Sequence, residues 1–136
     1  MTLALETRYF YDEIPQAQEL ERLLAELGGG VAYWHDVGHA ENLERLGFGT
    51  HRGWLERFRG RMAGVHLHDL VGLSDHRPPG TGDLDWDMVA ALWPAEAQRV
   101  CEVDSRFSAA ELRESLKFLA KRGILSNISP TGEMEG

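Results

Sequence analysis

One cysteine, Cys101, is the only thiol in the 136 residues, so no internal disulfide can form. It lies inside an apolar run and reads as a small core residue rather than a reactive nucleophile. Such sparing use of cysteine fits a reducing compartment. No apolar stretch approaches the roughly 18 residues that a membrane-spanning helix requires. The first residues, Met1-Thr2-Leu3-Ala4-Leu5-Glu6, place no basic segment ahead of a long apolar one, so a signal peptide is not expected and the expected compartment is the cytoplasm. Basic residues are in deficit, 14 Lys and Arg against 22 Asp and Glu, for a formal net charge of −8. Affinity for a phosphate backbone is built from clustered cations, which disfavours nucleic acid as a partner. The one locally basic stretch, Arg52, Arg57, Arg59 and Arg61, reads as the solvated face of a helix. The surplus of carboxylates suits a divalent cation instead.

With 43% hydrophobic residues, the chain has the makings of one modest globular domain, expected over residues 1–124 with a polar tail over 125–136. Its most informative pattern is a short apolar run that ends in an ionisable group, repeated four times. Leu3-Ala4-Leu5 meets Glu6, and Val31 to Trp34 meets His35 and Asp36. Gly64-Val65 meets His66, Leu67, His68 and Asp69, and Val100-Cys101 meets Glu102. Glu6, Asp36, His66 and Glu102 stand 30, 30 and 36 residues apart, about the length of one strand-helix-strand crossover.

Between the runs lie helical signals. Pro15 suits an early helical position, and Leu20, Leu23, Leu24 and Leu27 follow at a helical period up to Gly28-Gly29-Gly30. A short helix is expected around Glu41 to Leu46, another after Thr50 with Trp54, Leu55 and Phe58 inward, and a third after Asp85 up to Pro94. Ser108 and Glu111 form a capping-box pattern ahead of Leu112, Leu116 and Leu119. Residues 70–83, rich in Pro and Gly, read as a long functional loop.

Strand and helix alternating four times predict an α/β fold of four consecutive βα units with a parallel sheet. In such folds ligands gather beyond the carboxyl ends of the strands, so topology alone brings Glu6, Asp36, His66 and Glu102 to one rim. Three carboxylates and an imidazole suit Mn²⁺ or Mg²⁺, with Zn²⁺ or Co²⁺ as alternatives. Two carboxylates flanking a bound hydroxy-ketone could exchange a proton next to its carbonyl, which is isomerase or epimerase chemistry.

These residues resemble the C-terminal half of the xylose-isomerase-like barrel superfamily, the sugar phosphate isomerase/epimerase group that also includes metal-dependent abasic-site endonucleases. The matching segments are Leu3-Ala4-Leu5-Glu6-Thr7-Arg8, Asp36-Val37-Gly38-His39, His66-Leu67-His68-Asp69, Gly80-Thr81-Gly82-Asp83-Leu84-Asp85-Trp86, and Val100-Cys101-Glu102-Val103. The resemblance implies that Glu6, Asp36, His66 and Glu102 are metal ligands, with Glu6 and Glu102 also the acid and base. It implies substrate contacts from His39, Arg8, His68 and His76. His66 is favoured over His68 as the ligand because the family ligand stands three residues before the aspartate, here Asp69. Ser74 replaces the aspartate that the endonuclease branch places two residues before a metal histidine, and Asp75 is one position out of place; with the acidic charge, this disfavours the endonuclease reading.

A whole barrel of this kind has eight strands and about 250 residues. Four βα units alone would leave two sheet edges and an apolar flank open. The expected partner is therefore a second copy or a separately encoded N-terminal half-barrel, besides a small sugar-like substrate. The alternative function is a non-catalytic half-barrel remnant or subunit that retains the site.

Overall fold

The computed structural model describes residues 2–10 and 12–125. The expected tail from residue 126 onward lies outside the described residues. Four strands, β1 (Leu3–Glu6), β2 (Val31–Asp36), β3 (Met62–Leu67) and β6 (Gln98–Cys101), form one sheet in the order β1-β2-β3-β6, every neighbouring pair parallel. The helices are α1 (Ala17–Leu27), α2 (Val37–Arg45), α3 (His51–Phe58), α4 (Trp86–Leu92) and α5 (Ala109–Lys121). The chain is thus a run of four βα units on a parallel sheet. Among the described residues, no helix is long and apolar enough to cross a membrane.

Local chemistry explains most boundaries. Thr50 caps α3 by accepting from Gly53 N, Asp85 caps α4 by accepting from Met88 N, and Ser108 and Glu111 close a capping box on α5. Helix α1 starts at Ala17 under a Gln16/Glu19 capping box, so Pro15 stands just outside the helix rather than in its first turn. Helix α2 begins at Val37, earlier than periodicity predicts, because Asp36 accepts from His39 N and starts the helix at the very end of β2.

The stretch expected as an open loop contains a hairpin of β4 (Asp69–Val71) and β5 (Ser74–Arg77), paired antiparallel through Asp69 with Arg77 and Val71 with Ser74. Gly72, with φ +60°, is the first of the two residues in its turn, a position that glycine favours. The remainder of the loop is organised by the buried carboxylate of Asp69. One oxygen accepts from Leu70 N (2.9 Å) and Leu84 N (3.2 Å), the other from Gly80 N (2.8 Å) and Trp86 Nε1 (2.9 Å).

The two faces of the sheet differ. Strand alternation puts Tyr33, His35, Val65 and Leu67 on the helix side, where Tyr33 packs against Trp54 and Phe58 in the main core. This face also carries a buried polar chain. Thr7 Oγ1 bonds Tyr33 Oη, Tyr33 Oη meets His35 Nδ1 at 2.7 Å, His35 Nε2 meets His51 Nε2 at 3.0 Å, and His51 Nδ1 meets Glu41 Oε2 at 3.2 Å. Hydrogen bonds to His51, opposed by partial burial, keep the Glu41 pKa low, so His51 Nδ1–H donates to it. His35 thus bridges the Tyr33 hydroxyl and the His51 ring. Burial and the neighbouring His51 hold the His35 pKa well below its ordinary value.

The opposite face carries Ala4, Glu6, Ala32, Trp34, Asp36, Gly64, His66 and Val100, matched by the register that pairs Asp36 with His66 and His66 with Val100. Gly64 is required there: a Cβ would lie 2.2 Å from the Trp34 ring.

Candidate metal centre

Each of the four strand ends delivers one group to the same rim. Glu6 closes β1, Asp36 closes β2, His66 lies one residue inside the end of β3, and Glu102 follows β6, its N–H bonded to Leu67 O at 3.2 Å. One ligand-type atom from each of Glu6, Asp36, His66 and Glu102 lies within 4.8 Å of the others. His66 Nδ1 stands in the middle, 3.0 Å from Glu6 Oε1, 3.2 Å from Glu102 Oε2 and 3.5 Å from Asp36 Oδ2. Trp34 forms the floor beneath, its ring 5.2 Å from that of His66.

Asp36 is the buried member. Its Oδ1 accepts twice, from His39 N and His68 Nε2, each at 2.8 Å. Its Oδ2 is buried and makes no hydrogen bond, although it faces His66 Nδ1 and, at 3.6 Å, His39 Nδ1. A buried oxygen left without a donor is costly in a protein interior, and here it points into a ring of ligand-type groups. Burial opposes its ionisation, but the His66 and His68 rings outweigh that and hold the carboxyl well below the ordinary carboxylate range. Conversely, the Asp36 carboxylate and then Glu6 raise the His66 pKa to about 10 against the cost of its burial, with Glu102 adding to the effect. Without a bound cation, the imidazolium of His66 is the counter-charge for three carboxylates. The donor set, three carboxylates and one imidazole with one oxygen unsatisfied, fits a hard or borderline divalent ion.

The other expected site residues fall into two groups. His39 lies beside the cluster: Nδ1–H donates to Thr7 O at 2.9 Å, and Nε2 lies 4.0 Å from Asp75 Oδ2. His76 is partly exposed, bonded to Asp75 Oδ1 through Nδ1 at 2.8 Å, with Nε2 3.7 Å from Glu102 Oε2. Arg8 and His68 are placed differently. Arg8 donates to Glu13 at 2.9 Å in the connection after β1. His68, expected among the substrate contacts, is fully buried with both ring nitrogens hydrogen-bonded inside the protein.

Sequence reasoning passed over Asp75, which it treated as out of register. The structure seats its carboxylate between His39, His76 and Asn42, whose Nδ2 lies at 3.4 Å. The turn at Gly72 was the available signal, because a hairpin there brings Asp75 back over α2. A cleft of about 440 Å³ opens next to the cluster, lined among others by Asp75, His76, Glu102, Asp104 and Arg106.

No protein-family model matches the chain, and no curated protein matches it. Among solved structures, it is similar to the apo form of 3-keto-D-glucoside 4-epimerase YcjR from E. coli, with a TM-score of 0.62 and 21% sequence identity. The match covers 88% of this chain and 45% of that one, so the chain spans a little under half the length of that enzyme. At this identity the likeness concerns the fold.

Proposed function

We propose that this chain is the metal-binding half of a sugar isomerase or epimerase of the xylose-isomerase-like barrel type, with Glu6, Asp36, His66 and Glu102 holding one divalent ion. The observation that carries this reading is the buried, unbonded Oδ2 of Asp36 facing three other ligand-type groups from separate strand ends. Mn²⁺ or Mg²⁺ suits the oxygen-rich set, with Zn²⁺ and Co²⁺ as alternatives. The fold shared with a sugar epimerase supports the substrate class, a small sugar or related polyol.

When bound, such an ion supplies positive charge for the oxygens of an enediolate. The protein's own groups handle the proton. Glu6 and Glu102 extend from the two edge strands of the sheet, on either side of Asp36 and His66. A hydroxy-ketone held between them can lose the proton on the carbon next to its carbonyl to one carboxylate. The C–H electron pair then becomes the enediolate, and a proton returned from the other carboxylate to the opposite face inverts that carbon. In this reading His39, beside the cluster, and His76, lining the cleft, contact substrate hydroxyls. Arg8 would reach substrate only by leaving Glu13.

The sheet face carrying Trp34 and Val100 and the edges of β1 and β6, unpaired among the described residues, would be covered in this reading by a second half-barrel, either a second copy or a separately encoded half. The deciding experiment measures metal content, solution mass and solvent proton exchange into a panel of ketoses at the native oligomeric state. Exchange that requires the metal supports the reading. A metal-free protein inert with every sugar would assign the chain to the non-catalytic alternative.

A further inference from the structure

Besides the four-residue cluster, the ring nitrogens of His68 and His76 and an oxygen of Glu102 also lie within 4.8 Å of one another. This second grouping has the composition of a metal site but not its availability. His68 Nδ1 accepts the backbone N–H of His76 at 3.0 Å, so that nitrogen is bare, and the ring's proton belongs on Nε2, which donates to Asp36 Oδ1 at 2.8 Å. A proton on Nδ1 would meet the His76 N–H head-on. Both ring nitrogens are thus engaged within the protein, with no lone pair left for a cation.

We infer that His68 is a positioning residue for Asp36, a reading that rests on Asp36 being a metal ligand. One donor, the His39 N–H, would leave the carboxylate free to swing about its Cβ–Cγ bond. The second donor, from His68, saturates Oδ1 and presents Oδ2 alone to the cluster. Such partners of metal-ligating groups fix ligand orientation and commonly contribute 10- to 100-fold in affinity.

The surroundings hold His68 in this role from three sides. The His76 ring stacks on it with centroids 4.4 Å apart and planes within 5°. Gly38 leaves room for its edge. The His76 backbone sits at φ +54°, a left-handed conformation that is unfavourable for a non-glycine residue, in the arrangement that directs its N–H at His68 Nδ1. The β4–β5 hairpin therefore acts as the backstop for a ligand on β2.

Two measurements on the full chain test the inference. Long-range ¹H–¹⁵N correlation on the metal-free protein should show a proton on His68 Nε2, directed at Asp36; an Nδ1–H tautomer with Nε2 bare overturns it. Calorimetric titration with Mn²⁺ should show His68→Ala binding roughly 10- to 100-fold more weakly than wild type at the same stoichiometry. His68→Gln, whose amide can donate to Asp36, should recover much of the loss, whereas a purely steric role would make no such distinction. Equal Mn²⁺ affinity in wild type and both variants overturns the inference while leaving the metal reading intact. No Mn²⁺ uptake by folded wild type overturns both. If His68→Ala fails to fold, the tautomer and the Gln variant still decide.

Discussion

Gly38 has no side chain because His68 occupies the place one would take: a Cβ on Gly38 would lie 2.1 Å from His68 Cε1 and 2.7 Å from Nδ1. At an ordinary helical position, Gly→Ala stabilises by about 0.5–1 kcal/mol. Here overpacking, typically about 1–3 kcal/mol, wins. Gly38→Ala is expected to destabilise the protein by about 1–2 kcal/mol net in urea unfolding and to change the His68 resonances. A stabilised variant would show that the ring can move aside.

Glu102 and Glu6 are expected to affect two properties together. Either Glu102→Gln or Glu6→Gln should weaken divalent metal binding by about tenfold or more and abolish solvent exchange into the substrate, because the proposed function gives each the roles of ligand and proton carrier. Asp104→Asn, in the same cleft but outside the four-residue cluster, should leave metal affinity within about threefold. Calorimetry and proton-exchange NMR on the same preparations separate the two properties.

His66 sets a pH dependence whose sign can be worked out. Its pKa rises from 6.5 to about 10 in the folded, metal-free protein, so folding favours the protonated ring. Its stabilisation is therefore complete below the unfolded value and is lost as pH rises through the folded one. The melting temperature of metal-free protein should fall between pH 7 and 10, and His66→Gln should flatten that slope. A divalent ion must displace the proton, so its affinity should increase with pH across the same interval and its binding should release about one proton. Melting curves with and without Mn²⁺, and calorimetry in buffers of different ionisation enthalpy, check both signs.

Asp69 is expected to be a stability residue rather than a ligand. Its buried carboxylate satisfies four donors, so Asp69→Ala would leave Leu70 N, Leu84 N, Gly80 N and Trp86 Nε1 unpaired at once. A loss of about 3 kcal/mol or more is expected, with hydrogen exchange accelerating across residues 70–86 before it does in the parallel sheet. Exchange that rises equally everywhere would argue against a locally organised loop.

The sheet and its rim were legible because its parallel strands read as short apolar runs, and each run ended in a group that water or a ligand must satisfy. Glu6, Asp36, His66 and Glu102 could thus be placed without coordinates. The hairpin was less visible: Asp69 to Arg77 has no apolar alternation, and its pairing depends on the Gly72 turn and on His76 N–H finding His68. The buried chain from Thr7 to Glu41 was invisible for another reason. His35 and His51 are 16 residues apart in sequence, and only the packing of α3 on the sheet brings their nitrogens to 3.0 Å. Helix α2 escaped periodicity because its start is fixed by one side chain, not by a stripe.

That side chain restricts substitution in a way metal chemistry alone would not. Asp36 ends a strand, caps a helix and faces the cluster with its remaining oxygen. Glutamate or histidine could ligate a cation from the same strand, but neither is a favoured cap for the helix that begins at the next residue. Cysteine fails for the same reason. Asparagine would keep the cap and lose the charge. Among ionisable residues only aspartate meets both demands, so drift at position 36 is constrained by the geometry of a helix start as much as by the charge of the cluster.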